Sequence, residues 1–281
     1  MSQHRTTYAR FSVWQRIEHA VLLVSFTVLS VTGLPQKYAD SNWGSTLIAW
    51  MGGIETTREI HHIAAILLML GAIYHGAAVT HKIWVQRVRL TILPDFQDMK
   101  DGFQAMFYNV GLAKNPPKMG RYTFGEKAEY WAVIWGTVIM IITGFMLWNP
   151  IATASLLPGQ FIPAAKAAHG GEALLAVLSI ITWHMYNVHI KVFNKSMFTG
   201  KISHHEMEEE HPLELEDIQS GRIGPRATDQ GMQRRQRQFI PVAIVISVVL
   251  LTALYIFVTF EQTAITTVPR QEIEVLATPG P

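Results

Sequence analysis

Residues 168–189 read AHGGEALLAVLSIITWHMYNVH, a run apolar enough for lipid that nevertheless carries His169, His184 and His189. Ionisable side chains are costly inside a bilayer and persist where they are paired, ligated or in use. The rest of the chain shares this character. Hydrophobic residues fill 49% of its 281 positions and charged ones 16%, too apolar a balance for a soluble domain of this size. There is no cysteine, which excludes disulfides, chain-ligated iron–sulfur clusters, thiolate zinc and thioether-attached haem. A metal here must be held by His, Met or carboxylate.

Five stretches reach the ~20 apolar residues needed to cross a bilayer: roughly Trp14–Leu34, Glu59–Trp84, Ala128–Trp148, Ala165–Ile190 and Phe239–Phe260. Trp14, Trp84, Tyr130 and Trp148 sit near their ends, as interfacial aromatic belts do. The first stretch lacks the short core and small-residue cleavage site of a secretory signal, so it is expected to be a permanent span. All Lys and Arg except Lys37, Arg58, Lys166 and Arg270 fall on one side of the implied topology. The positive-inside bias then predicts a cytoplasmic N-terminus and an extracytoplasmic C-terminus.

The expected fold class is an all-α integral membrane protein: a four-helix transmembrane bundle over residues 1–190 plus a fifth, C-terminal transmembrane helix. Residues 191–238 read as a cytoplasmic polar segment and linker, with HHEMEEEHPLELEDI as its acidic, helix-prone part and RIGPRATDQG as the linker. Residues 239–281 hold the fifth helix and a short extracytoplasmic tail. In the loop after the second span, DMKDGFQAMFYNVGL either forms an interfacial helix with Phe103, Met106, Phe107 and Val110 on its apolar face or stays a solvated loop. SVTGLP in span one echoes IITGFML in span three, placing Gly33 and Gly144 alike. A missing side chain there admits either a flat ligand or another helix.

His19, His61, His62, His75, His169 and His184 lie in or at the ends of spans, with His189 at a boundary. His169 and His184 are fifteen residues apart, hence ~22 Å along a helix and about 60° around it. His61 and His75 are fourteen apart, ~21 Å and about 40°. Spans two and four run in the same direction, so His61 matches His169 in depth near the outer surface and His75 matches His184 near the inner one. His19 enters that inner layer from span one. Two layers of facing imidazoles suit two stacked b-type haems, each iron taking one imidazole nitrogen from either side. Zinc or copper wants three or four ligands at one depth. A di-iron centre wants inward Glu and Glu-x-x-His pairs, and Glu172 is the carboxylate that stands out within the spans. The alternative function is a histidine-rich membrane transporter or metal-handling protein, for which broken helices and inverted repeats would speak.

WQRIEHAVLLVSFTVLSVTGL (14–34), REIHHIAAILL (58–68), GRYTFGEKAEYW (120–131) and AAHGGEALLAVLSIITWHMY (167–186) together resemble the cytochrome b (gamma) subunit of membrane formate dehydrogenases and related nickel–iron hydrogenases. That resemblance implies a di-haem, quinone-linked cytochrome b in a bacterial cytoplasmic membrane. It implies His61 and His169 as ligands of the outer haem, and His19 and His184 as ligands of the inner one. His75 remains an alternative inner ligand, which would leave His19 for a third haem or a structural role. The segment before span three implies a quinone site at Thr123 and Glu126, where the family has an amide pair. Glu126 either accepts a quinol proton or serves as a helix N-terminal charge. Arg16 and Arg58 lie near haem level and could pair with propionates. Implied partners are membrane lipid, menaquinone or ubiquinone, and an extracytoplasmic redox subunit with iron–sulfur clusters or multihaem cytochrome c. The chain shows no nucleotide motif and no nucleic-acid signature, so the primary substrate site is expected on that partner.

Overall fold

The computed structural model describes residues 7–191, 193–223 and 230–260. Its elements begin with β1 (Thr7–Ala9), α1 (Val13–Lys37), the short α2 (Asn42–Trp50), α3 (Ile54–Trp84) and α4 (Phe96–Asn109). They continue with α5 (Phe124–Trp148), α6 (Pro150–Leu156) and α7 (Phe161–Ser179). Helix α7 runs on through π-helical turns at Ile180–His184 and Tyr186–Lys191 to complete the fourth span. The remainder is α8 (Ser196–Thr199), β2 (Lys201–Ser203), α9 (His204–Glu210), α10 (Pro212–Gln219) and α11 (Gln230–Thr259). Ser, Thr or Asp side chains cap the starts of α1, α2, α4, α5 and α9, each cap typically contributing about 1 kcal/mol.

Five of these helices are long and apolar enough to cross a membrane, and the protein is an all-α integral membrane protein. The spans turn their apolar side chains outward: Trp14, Ile63, Trp135, Leu175 and Val249 are all at least 60% exposed. Lipid therefore takes the place of a core, and a small hydrophobic cluster of Ile202, Met207 and Leu215 forms outside the bundle instead.

That cluster belongs to a cap at the end of the bundle where α1 begins. There β1 pairs antiparallel with β2, with Tyr8 opposite Ile202, and α9 and α10 close over them. The strand pair has no signature in the sequence, because each strand is three residues long and pairs across almost the whole bundle. The amphipathic helix considered for the loop after span two is present as α4: Phe103, Met106 and Phe107 are all exposed while Asp98 and Asp101 on its other face are buried. Span five starts earlier than its apolar run, since the RRQRQ segment continues the helix, and Arg235 Nε donates to the Val85 carbonyl at 3.0 Å. Most of the expected linker, residues 224–229, and the tail 261–281 with Arg270 lie outside the described residues.

Helix α1 packs most closely on α3 and α5 on α7, with α7 also touching α1 and α11 lying against α3. The two hairpins are copies of one plan. Helices α1 and α5 are each 25 residues long. Ser12, Glu18, Thr32 and Gly33 hold the same places relative to α1 as Thr123, Glu129, Thr143 and Gly144 hold relative to α5. The TG echo is the visible part of this duplication.

Candidate functional site

Far from the cap, His61 on α3 faces His169 on α7 with ring centres 6.4 Å apart and planes at 64°. Thr32 Oγ1 lies 2.8 Å from His61 Nδ1 and donates its own hydrogen to the Val28 carbonyl at 2.7 Å. The hydroxyl is thus left to accept from the ring. Thr143 repeats the device, 2.9 Å from His169 Nδ1 and donating to Ile139 O at 2.6 Å. Both hydroxyls fix the tautomer with its proton on Nδ1 and leave the Nε2 lone pair free. The glycines beside them make the rings' approach possible. A Cβ on Gly33 would stand 2.9 Å from His61 Cε1, and one on Gly144 would stand 3.3 Å from His169 Cε1. The close approach that the TG echo implied is made by the imidazoles themselves.

Nearer the cap, His19 on α1 faces His184 on α7, again with ring centres 6.4 Å apart and planes at 34°. Glu129 Oε2 lies 2.8 Å from His184 Nδ1. In the other half Glu18 Oε2 lies 2.6 Å from His75 Nδ1, but His75 Nε2 meets the Tyr130 hydroxyl at 3.0 Å. Tyr130 occupies the place in α5 that His19 occupies in α1. His75 therefore faces a phenol, and the ring opposite His184 is His19. The π-helical turn Ile180–His184 explains how His184, fifteen residues past His169, holds the place in its hairpin that His75, fourteen past His61, holds in the other: a π turn accommodates one extra residue.

Metal–imidazole bonds of about 2.0 Å, and rings built from C–N bonds of about 1.33 Å, put the centres of two trans imidazoles about 6.3 Å apart. Both histidine pairs match this spacing. Each pair could hold a planar macrocycle whose iron takes one nitrogen from either side. Among the described residues no group of three or more His, Cys, Asp or Glu is arranged to hold a metal ion alone.

The expected accessory residues are placed as follows. Thr123 caps α5, and Glu126 completes that cap by accepting from the Thr123 N–H at 2.8 Å. Glu126 also pairs with the buried Arg10 at 3.0 Å. Arg16 donates to the carbonyls of Met197, at 3.3 Å, and Phe198. Arg58 pairs with Glu55 at 3.1 Å on an exposed helix turn. His62 stacks on Trp148 with ring centres 3.7 Å apart, and His189 lies beside Phe193. Glu172 packs against Gly136, where a Cβ would meet its Oε1 at 2.6 Å. Sequence reasoning passed over Thr32, Thr143, Glu18, Glu129 and Arg10, and read Tyr130 as an interfacial aromatic. Two pairs of them carried a signal: the threonine repeated one residue before each singled-out glycine, and the carboxylates Glu18 and Glu129 repeated within spans one and three.

The cap supplies a pH-sensitive element outside the membrane. His211 is buried, and its Nδ1–H donates to the Gly120 carbonyl at 2.8 Å. Burial, then the Arg10 charge, holds its pKa below the ordinary 6.5. Burial, then Glu126, pushes the Glu210 carboxyl up. As pH falls below about 6.5, the unfolded chain takes up the His211 proton before the folded cap does. Stability contributed by neutral His211 is therefore lost on acidification, while Glu210 opposes this by binding its proton more tightly when folded. Hydrogen exchange of the β1–β2 amides is expected to accelerate as pH drops from 7 through the range below about 6.5, after correction for intrinsic exchange. His211→Asn flattens that dependence and Glu210→Gln steepens it.

Residues 10–200 match the family profile described as prokaryotic cytochrome b561. The formate dehydrogenase cytochrome b556(fdo) subunit of Escherichia coli K12 is 24% identical over 195 residues, covering 66% of this chain and 80% of the relative. The nitrate-inducible formate dehydrogenase cytochrome b556(Fdn) subunit of the same strain is 20% identical over 202 residues, or 72% and 87% of the two chains. The formate dehydrogenase cytochrome b556 subunit of Haemophilus influenzae Rd is 23% identical over 134 residues, or 48% and 51%. The matched span of the family profile holds all four bundle helices and both histidine pairs, and ends before α9, α10 and α11.

Proposed function

Because the chain belongs to the prokaryotic cytochrome b561 family, and so is a multi-pass membrane cytochrome b of electron transfer, we propose that it uses two b-type haems in series. They would link a redox partner subunit outside the membrane to the quinone pool. Bound haem b supplies one-electron chemistry by alternating between ferric and ferrous iron. His61 and His169 would hold the outer haem, and His19 and His184 the inner one. The observation that carries this proposal is the same 6.4 Å ring separation at two levels of one bundle. Three of the four rings direct Nδ1 at a hydroxyl or carboxylate oxygen, which leaves Nε2 as the nitrogen free to ligate.

The Lys and Arg bias supports a cytoplasmic cap and an extracytoplasmic far end. Quinone, as menaquinone or ubiquinone, would then meet the protein at the cap end, where Thr123 and Glu126 start α5. Trp183, next to His184, packs there on Gly125, 3.4 Å from where a Cβ would stand. Glu126, its side chain 36% exposed and held by Arg10, stands ready to take a quinol proton. The relatives are formate dehydrogenase subunits, which favours a partner that oxidises its own substrate and delivers electrons through iron–sulfur clusters or multihaem cytochrome c.

The haem-to-protein ratio of the purified protein, with a redox titration of its absorbance bands, tests this directly. Two haems with reducible b-type spectra are expected; a protein with no reducible b-type bands and no iron overturns the proposal. The glycines give a further check. Gly33→Ala forces the His61 ring to move, because real Cβ atoms essentially never approach within 2.9 Å. It is expected to cost about 1–3 kcal/mol and to lower outer-haem occupancy. Gly144→Ala, whose Cβ would stand 3.3 Å from the His169 ring, tight but not prohibitive, does so less. Equal, unaltered haem content and melting temperature in both variants would count against the assignment.

A further inference from the structure

The duplicated hairpins back their imidazoles differently at the two levels. At the far level both rings donate Nδ1–H to neutral threonine hydroxyls at 2.8 and 2.9 Å. At the cap level His184 donates to a carboxylate, Glu129, at 2.8 Å, and both side chains are mostly shielded. A charged acceptor roughly doubles the strength of a hydrogen bond and draws the Nδ1 proton toward itself. The ring is left richer in electrons, and Nε2 becomes a better donor to ferric than to ferrous iron. We infer that Glu129 is a positioning residue that acts through His184 to lower the midpoint potential of the inner haem relative to the hydroxyl-backed outer one. This rests on the two-haem reading proposed above.

The other half of the duplication shows what the carboxylate does without a facing histidine. Glu18 backs His75 as Glu129 backs His184. Yet the Tyr130 oxygen stands 3.0 Å from His75 Nε2, short of the about 4 Å that two metal–nitrogen bonds require. That place holds a hydrogen bond and pins α3 to both α1 and α5. Glu129 is thus the one of the two equivalent carboxylates whose effect could reach an iron.

The test is a potentiometric titration of the full-length protein with its haems bound, followed by absorbance and by electron paramagnetic resonance. Glu129→Gln is expected to raise one midpoint potential, alter the ferric signal of the same haem and leave the other haem unmoved. Thr143→Val is expected to raise the other midpoint by a smaller step. If Glu129→Gln loses the inner haem, Glu129→Asp is measured instead; withdrawing the carboxylate by one methylene moves the same midpoint upward by less. Both haems retained with both midpoints unchanged in the measured Glu129 variant overturns the inference alone. A wild-type protein without an inner haem overturns the underlying proposal as well.

Discussion

His169→Ala protein is expected to retain half of the wild-type haem and to lose electron transfer between its partner subunit and quinone. The substitution removes one of the two rings of the far pair, and His61, although still held by Thr32 at 2.8 Å, cannot bracket an iron alone. The cap-side pair is built from other residues, with His184 fifteen positions along the same helix, or ~22 Å away. The haem that remains should therefore keep its wild-type midpoint. His61→Ala gives the same spectrum, and the double variant is no worse than either single one, because the two residues serve one site. His184→Ala removes the complementary component. Difference spectra and haem extraction on the variants check this, and both haems surviving in His61→Ala and in His169→Ala would sink the outer-ligand assignment.

Asp98→Ala carries the largest expected loss of stability. Lys127 Nζ lies 2.6 and 2.8 Å from the Asp98 oxygens, and both side chains are only 11% exposed. Removing the carboxylate strands a shielded ammonium, which costs about 3–5 kcal/mol. It also removes the Asp98 acceptor from the Asp95 N–H, part of the capping box of α4, for about 1 kcal/mol more. The pair clamps α4 against the start of α5. The double variant Asp98→Leu/Lys127→Met, which replaces both charges by apolar groups, should recover most of the loss. Thermal unfolding in detergent reads the stability, and proteolysis of the segment around α4 reads its release. A single variant within about 0.5 kcal/mol of wild type would show that the pair contributes nothing.

The spans were legible because hydropathy and length act locally, and each spanning helix satisfies its own backbone. The layering of His61 with His169 was legible because 1.5 Å per residue converts sequence distance into depth. At the cap level depth alone could not separate His19 from His75; the resemblance named His19, with His75 as the alternative. That choice depends on Tyr130 occupying the α5 position equivalent to His19 and on the π turns that reset the angle of His184. Thr32 and Thr143 escaped notice for a related reason: each is defined by a contact across a hairpin, whereas in its own helix it is an ordinary polar residue. Glu18 and Glu129 are ionisable residues within spans, but only the hairpin contacts show which ring each one backs. The early start of α11 shows the converse limit, since a helix can continue past its apolar run and hydropathy marks only the part in lipid.

The distribution of contacts between the two hairpins has a consequence for biogenesis. Among the described residues, every hydrogen bond that an intramembrane imidazole makes to a threonine or glutamate oxygen stays within one hairpin: His61 to Thr32 and His75 to Glu18 in the first, His169 to Thr143 and His184 to Glu129 in the second. Both 6.4 Å histidine pairs, by contrast, take one ring from each hairpin. Each hairpin can therefore insert from the ribosome with every backed ring already oriented, His19 apart, while neither contains both rings of a facing pair. On the two-haem proposal, haem capture would coincide with the lateral docking of the two halves in the bilayer, and a cell short of haem would accumulate inserted hairpins that lack this link.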